Sequence, residues 1–472
     1  MLIFGVIESL LNLSTSIYNN SPVWMQNILV SAYGWQWKHR RFGGIFKGEY
    51  HNAKERENFT AAQWEHYQSE QLQKIITHAF EHVPFYRNNF AAKGITIAAL
   101  QSVTPQTLSL LPVLTKEMLR LHGTTTLLAN NKEKGGSFFA SSGSTGTPVQ
   151  ILFSHAMHQR WMGIFEARVR NWAGVNSFEP RGMIGGRRVV ANADEKPPYY
   201  RYNYFEKQVY FSAYHISKNN VADYLQGMQK HHLHYMTGYA MSNFFLARFL
   251  KTLNIPAPQL KAVITSSEKL TYEMRQVFKE VYGCKTFDGW SGVEACGLIT
   301  ECEHGSLHIN PDAGLLEVLD DNMQSVPSGT AGNVYCTGFL NYDQPLIRYN
   351  IGDSIILTDK TCSCGRQMPV AQEIVGRTED TIVGKDGRQM VRFHSVFNGL
   401  PSIKLAQVIQ ETADTIVIKI IPDKKADEKE KNLICRRIIS QLGEINILIE
   451  EVENIPLNNN GKFQAVVSKL KK

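Results

Sequence analysis

The chain has 472 residues, enough for two or three domains and a large core. Hydrophobic residues at 43% and charged residues at 20% are those of an ordinary globular protein, which excludes a disordered or fibrous chain. The formal charge of +7 suits anionic small ligands and falls short of the concentrated basic stripe of a nucleic-acid binder. No apolar stretch reaches the length of a membrane span. Seven cysteines, odd in number and unevenly clustered, argue against a secreted disulfide framework, so a cytoplasmic location is the default.

Met1 to Leu11 is apolar, broken by Glu8, and has no basic leader. It reads as an amphipathic helix with peripheral membrane contact open to it, not as a signal peptide. Residues 1–130 are expected to be mainly helical. Gln63 to Phe80 has apolar residues at helical spacing, and the helix ends in the segment His82-Val83-Pro84-Phe85-Tyr86-Arg87. In Leu111-Pro112-Val113-Leu114-Thr115-Lys116, Thr115 is an N-cap for a short helix.

From about 137 to 300 the pattern alternates. Strand-like runs (Ser137 to Ala140, Val149 to Phe153, Ala262 to Thr265) exchange with helical stretches (Ala222 to His231, Met241 to Leu253, Tyr272 to Val281), which predicts an α/β layer structure. Residues 305–380 predict a β-rich subdomain of short strands. The last ~95 residues predict a small α+β domain, with strands Thr415 to Ile421 and Asn446 to Val452 around the helix Glu428 to Leu442. The Lys-rich stretch near 424–431 also carries Asp and Glu, as a solvated helix face does. The segment from Leu457 to Lys462 is polar.

Five segments carry chemistry. Ser142-Gly143-Ser144-Thr145-Gly146-Thr147 offers backbone N–H groups and hydroxyls at close approach to an anion, as nucleotide phosphates require. No lysine follows these glycines, so it is not a Walker A loop. In Trp290-Ser291-Gly292-Val293-Glu294, an aromatic suited to stacking a base precedes a carboxylate suited to a phosphate-bound Mg²⁺. Taken alone, Glu294 is expected to face solvent. Pro345 to Asp353 ends in a carboxylate that follows Gly352, suited to accept both hydroxyls of a ribose or to cap its own turn. Arg377 is placed to reach ribose or phosphate, or to pair with a carboxylate. Lys462 in the tail is expected to be solvated unless the tail folds back over a nucleotide.

The order of these motifs resembles the adenylate-forming superfamily of acyl-CoA synthetases, peptide-synthetase adenylation domains and luciferases. Within it the chain is most similar to phenylacetate–CoA ligase-like proteins, in the capsule-biosynthesis branch called CapK-like. The resemblance runs from about 75 to 472 and includes His82 to Arg87, Leu111 to Lys116, Thr237-Gly238-Tyr239 and Thr265 to Leu270. It implies a large layered α/β N-terminal domain, 1–378, with a β-rich subdomain. A small mobile α+β C-terminal domain, 379–472, would carry the catalytic lysine. It further implies that Ser142 to Thr147 is the phosphate loop and that Ser266, Ser267 and Glu268 line the adenine pocket. Trp290 takes the place of the usual aromatic, Glu294 that of the magnesium-linked glutamate, and Asp353 that of the ribose-binding aspartate. Arg377 matches the nucleotide-contacting arginine, Glu379 the hinge and Lys462 the catalytic lysine. Two positions depart from the family pattern: Val293 stands where threonine is usual, and Glu379 where Asp or Lys is.

Cys362 and Cys364 form a C-x-C ahead of Gly365, and Cys302 with His308 supplies a second pair. Together they make a Cys₃His set that fits structural Zn²⁺, and CapK-like relatives look similar at these positions. His304 is the rival ligand. The remaining cysteines read as core residues.

The activity implied is ATP-dependent conversion of a carboxylic acid to an acyl-adenylate with release of pyrophosphate. Acyl transfer to CoA, a carrier-protein thiol or a sugar amine would follow, in capsule or surface polysaccharide synthesis. Tyr239, Met241 and Phe244 are candidates for the acyl pocket, with helix core packing equally open to them. The other class of reading is a non-catalytic nucleotide-binding scaffold in polysaccharide assembly, which Val293 keeps open.

Overall fold

The computed structural model describes residues 17–140, 148–187, 189–190, 196–268, 270–376, 382–385, 389–390, 393–397, 400, 402–422, 427–455 and 466–470. The helices start where the capping chemistry puts them. Thr60 and Gln63 form a reciprocal capping box at the head of Ala61–His82. Thr115 Oγ1 accepts from the Met118 amide at 3.2 Å and opens Lys116–His122. Leu72, Ile75, Ile76 and Ala79 bury one face of the long helix at i, i+3, i+4, i+7 spacing. Pro84, whose missing N–H costs nothing in a first turn, heads the next helix, Pro84–Ala92.

Two compact units divide the chain: Met1–Gly43 with Ala173–Phe287, and Gly44–Trp172 with Asp288–Lys472. In the first, the strands Gln208–Ser212, Arg181–Gly185, Tyr235–Tyr239 and Ala262–Ser266 lie side by side in parallel. Tyr200–Asn203 adds an antiparallel edge. The helices Val221–Lys230, Ala240–Thr252 and Tyr272–Tyr282 alternate with them, the βαβ pattern read from the sequence. Gln208–Ser212 is buried at every position, so it has no polar–apolar alternation. Gly238 at φ +118° leaves no room for a side chain: a Cβ there would sit 1.9 Å from the Ile184 carbonyl oxygen.

The second unit is antiparallel where the first is parallel. Its sheet runs Gly314–Leu319, Ala331–Gly338, Tyr349–Thr358, Val370–Gly376, Leu307–Ile309, Ile299–Glu301 and the end of Lys285–Trp290, each antiparallel to the next. The helix His155–Phe165 continues into a π-helical turn, Glu166–Arg170. That turn carries Arg168 into a fully buried ion pair with Asp312, at 3.0 Å, which Arg56 shares at 2.9 Å. The last part of the chain forms its own four-stranded sheet, ordered Asn446–Glu451, Thr415–Pro422, Ile403–Thr412, Val466–Ser468. On it packs Glu428–Leu442, whose Ile434, Ile438 and Leu442 meet Val408, Ile416 and Ile418 in a separate core. The fold is thus α/β with a large sheet and a small α+β C-terminal domain. Among the described residues no helix is long and apolar enough to cross a membrane. Met1 to Leu11 and Leu457 to Lys462 lie outside the described residues.

Candidate functional site

The second unit brings together motif residues far apart in the chain. Trp290 ends its strand buried, and its indole N–H donates to Asp353 Oδ2 at 3.0 Å, across 63 residues of sequence. Buried Trp N–H groups need such a partner. The bond aims one carboxylate oxygen at the indole. Asp353 sits inside the strand Tyr349–Thr358, not in a turn, one residue after Gly352 at φ +82°. Glu294 is not solvent-facing. It is 3% exposed, and Oε1 accepts from the Tyr349 hydroxyl at 3.1 Å. A Cβ on Gly292 would lie 2.2 Å from Glu294 Oε2, so the glycine clears the space this carboxylate occupies. Val293 is half-buried between them.

What holds these carboxylates was visible in the sequence only as unassigned signature residues. Tyr86 donates its hydroxyl hydrogen to the Pro345 carbonyl and accepts from the Ile347 amide, both at 3.0 Å. Leu114 exchanges backbone bonds with Arg348 and Asn350 at 3.1 and 3.0 Å. Arg348 donates to the Leu111 carbonyl at 2.7 Å and grips Glu317 through two nitrogens. The two N-terminal signatures therefore clamp the segment that ends in Asp353. Ala295 and Arg348 take positive φ values of 47° and 48° beside Glu294 and Tyr349, strain of the kind that collects at functional sites.

In the first unit, Ser266 ends a parallel strand and is exposed, and Ser267 follows at φ +75°. One oxygen of Glu268 accepts from the Met241 amide at 2.8 Å, placing negative charge at the head of Ala240–Thr252. Tyr239 and Met241 are half-buried, while Phe244 is 5% exposed within the hydrophobic core. The phosphate-loop candidates Ser142, Gly143, Ser144, Thr145, Gly146 and Thr147 lie outside the described residues, as do Arg377, Glu379 and Lys462.

A second cluster lies in the second unit. Cys302, His308, Cys362 and Cys364 present ligand atoms all within 4.8 Å of one another. Cys302 Sγ is 3.6 Å from Cys362 Sγ, and Cys364 Sγ is 3.4 Å from His308 Nε2. A zinc tetrahedron with ordinary bond lengths has S–S edges of about 3.8 Å and S–N edges of about 3.6 Å. The donor set therefore fits Zn²⁺ in type, number and spacing. His304 is turned elsewhere, with Nδ1 2.9 Å from Ser363 Oγ. Burial pushes the Cys302 thiol up to about 11. Burial also raises Cys362, but hydrogen bonds from Ser306 and Cys364 outweigh it and favour the thiolate. Trp172 stands edge-on to His308 with ring centroids 5.6 Å apart, and the Arg366 guanidinium lies over that indole at 4.3 Å. Arg366 in turn donates to both oxygens of Glu303 at 3.0 Å.

Comparison with known proteins places the chain. Residues 365–469 match the family described as the CapK C-terminal domain. Protein CapK of Staphylococcus aureus is 24% identical over 96% of this chain and 99% of its own length. A phenylacetate–coenzyme A ligase of Thermus thermophilus is 25% identical over 67% of this chain and 71% of its own. Among solved structures, a 2-hydroxyisobutyryl-CoA ligase in complex with 2-HIB-AMP and CoA superimposes with a TM-score of 0.58 at 19% identity. That match covers 88% of this chain and 92% of the ligase. The structural likeness carries the fold.

Proposed function

We propose that this chain, which belongs to the CapK-like branch of the adenylate-forming superfamily, activates a carboxylic acid with ATP and passes the acyl group to a second nucleophile. A carboxylate oxygen attacks the α-phosphorus, the bond to the β-phosphate oxygen breaks, and pyrophosphate leaves. The acceptor then attacks the acyl carbon, and AMP departs.

The observation that carries the reading is the Trp290–Asp353 bond with buried Glu294 four residues on. Trp290 and Asp353, assigned to one nucleotide from distant segments, bond to each other, and Glu294 is held by Tyr349 of the strand that carries Asp353. Asp353 receives the ribose hydroxyls, and its orientation is fixed by the indole. Glu294 is the ligand for Mg²⁺, which would neutralise phosphate charge when bound. Its carboxylate is preset by Tyr349 and Gly292, so little reorganisation accompanies the reaction. Ser142 to Thr147 cradle the phosphates, Ser266, Ser267 and Glu268 face the adenine, and Arg377 contacts the nucleotide. Lys462 compensates charge on the carboxylate and α-phosphate. The domain 379–472 rotates about Glu379 to admit the acceptor. Tyr239 and Met241 border the acyl pocket.

CoA is the acceptor favoured by relatives named as CoA ligases. The name CapK associates the reaction with capsule polysaccharide synthesis. Zn²⁺ on Cys302, His308, Cys362 and Cys364 acts as a structural tie. Metal analysis under non-chelating conditions should give about one zinc per chain, and a value near zero overturns that assignment.

The deciding experiment is ATP–pyrophosphate exchange across a panel of aliphatic, hydroxy, amino and aryl acids. Exchange with one acid establishes adenylation and names the substrate class. If no acid supports exchange, and ATP stabilises the protein equally with or without acid, the chain is a nucleotide-binding scaffold.

A further inference from the structure

The helix Val23–Phe42 exposes large apolar side chains. Three of its polar side chains bond to the protein: Asn27 accepts from the Tyr202 amide at 2.9 Å, Ser31 Oγ accepts from the Tyr204 amide at 3.0 Å, and Gln26 accepts from Arg201, while Val30 packs on the hydrophobic core and Gln36 and His39 are exposed. Gly34 lies so close to Asn203 that a Cβ would strike its amide. The outward stripe is apolar. Trp24, Ile28 and Trp35 fall within about 40° of one another at 100° per residue, and they are 65%, 58% and 52% exposed. A helix on a globular surface normally turns such a stripe toward the core.

The charges beside this stripe have one sign. The helix contains no Asp or Glu, and its last turns hold Lys38, His39, Arg40 and Arg41. Lys38 lies 5.9 Å over the ring of Phe178 and donates to the Phe205 carbonyl at 3.1 Å, which brings two further exposed aromatics to that end. The loop Tyr204-Phe205-Glu206-Lys207 exposes both rings and the lysine. Its one acid, Glu206, is 4% exposed and faces Arg41 and Arg181.

We propose that this face docks on the surface of an anionic lipid bilayer. The helix would lie in the interfacial plane, with Trp24, Ile28 and Trp35 entering the headgroup region and Lys38 and Arg40 meeting lipid phosphates. Exposed tryptophan with a one-sided cationic margin matches that boundary, where aromatic rings and basic side chains both gain. Such docking holds the chain on a membrane without spanning it. It would bring acyl activation to a bilayer surface, yet it does not depend on the chemistry of the nucleotide site.

The test is co-sedimentation of the full chain with vesicles of phosphatidylcholine alone and of phosphatidylcholine with phosphatidylglycerol. Brominated lipid serves as a quencher of tryptophan fluorescence in the unmodified protein. Expected are binding and quenching on the anionic vesicles, at least tenfold weaker binding to the neutral ones, and loss of both in Trp24→Ser/Trp35→Ser. Removing charge in Lys38→Gln/Arg40→Gln should cost about fivefold per cation on anionic vesicles, about 30-fold together, and little on neutral ones. A thermal melt confirms that each variant folds, and Ile28→Ser is a milder change to the same stripe. Absence of binding by the unmodified chain overturns the proposal. So does binding that survives both stripe variants but is lost in Ile3→Ser/Phe4→Ser. A vesicle-free dimer that the Trp24 and Trp35 changes dissociate assigns the face to a second copy instead.

Discussion

The two polar clusters of the second unit are built from similar materials to opposite ends. Around Cys302 and His308 the ligand atoms face one another: thiol meets thiol and imidazole meets thiol, with Trp172 edge-on to the imidazole and Arg366 over the Trp172 ring. Behind it lies the Arg168–Asp312–Arg56 network, fully enclosed. Around Trp290 the bonds go the other way. Tyr349 and the indole each hold one carboxylate, and Asp353 stays half-exposed. The difference separates a thiol–imidazole set whose ligand atoms face one another from two carboxylates each oriented by a single donor, which under the proposed function would meet a nucleotide.

That contrast is broken or sharpened by measurement. The largest effect is expected in the closed cluster. Cys362→Ser/Cys364→Ser should remove the metal and about 4 kcal/mol or more of stability, read by thermal melting with metal analysis. Chelation of the unmodified protein should move the melt the same way. Asp312→Asn leaves two buried guanidinium groups without their carboxylate and should cost about 3–5 kcal/mol. Burial raises the Asp312 pKa, but Arg168 and Arg56 outweigh it and leave the folded value below the ordinary one. Its contribution is thus complete above the unfolded pKa of about 3.9 and lost as pH falls through the folded value. An acid-unfolding curve should lose that component in the variant.

At the residues assigned to the nucleotide the fold should be untouched. Lys462→Ala should slow adenylation by about 10²–10³-fold with an unchanged melt. Asp353→Ala should weaken ATP about 10²-fold, by loss of hydrogen bonds to a charged acceptor, with the effect in KM. Trp290→Phe keeps the ring but removes the N–H, and a loss of about threefold to tenfold in ATP affinity is expected. Should any of these three lower the melting temperature as much as the cysteine pair does, the division between the clusters fails.

Much of this was legible along the chain. Thr115, the helical spacing from Gln63 to Phe80 and the alternation beyond 137 are local signals, and the elements formed where they indicated. The thiol spacing Cys362–Cys364 with Cys302 and His308 also fitted together in space, because each pair lies on a short rigid segment. The buried strands Arg181–Gly185 and Gln208–Ser212 gave no alternation to read, since both faces are covered.

The sequence by itself determined the element types, the pairing of Cys302 and His308 with Cys362 and Cys364, and the order of the motif residues, because capping, periodicity and short spacings depend on residues close in the chain. Only the tertiary structure decided that Glu294 is buried under Tyr349, that the indole of Trp290 bonds Asp353 instead of lying open, and that Tyr86 and Leu114 brace the same segment. It alone decided that Val23–Phe42 turns its apolar stripe outward. Those outcomes rest on which buried polar groups find one another across tens to hundreds of residues, and no local spacing specifies that pairing.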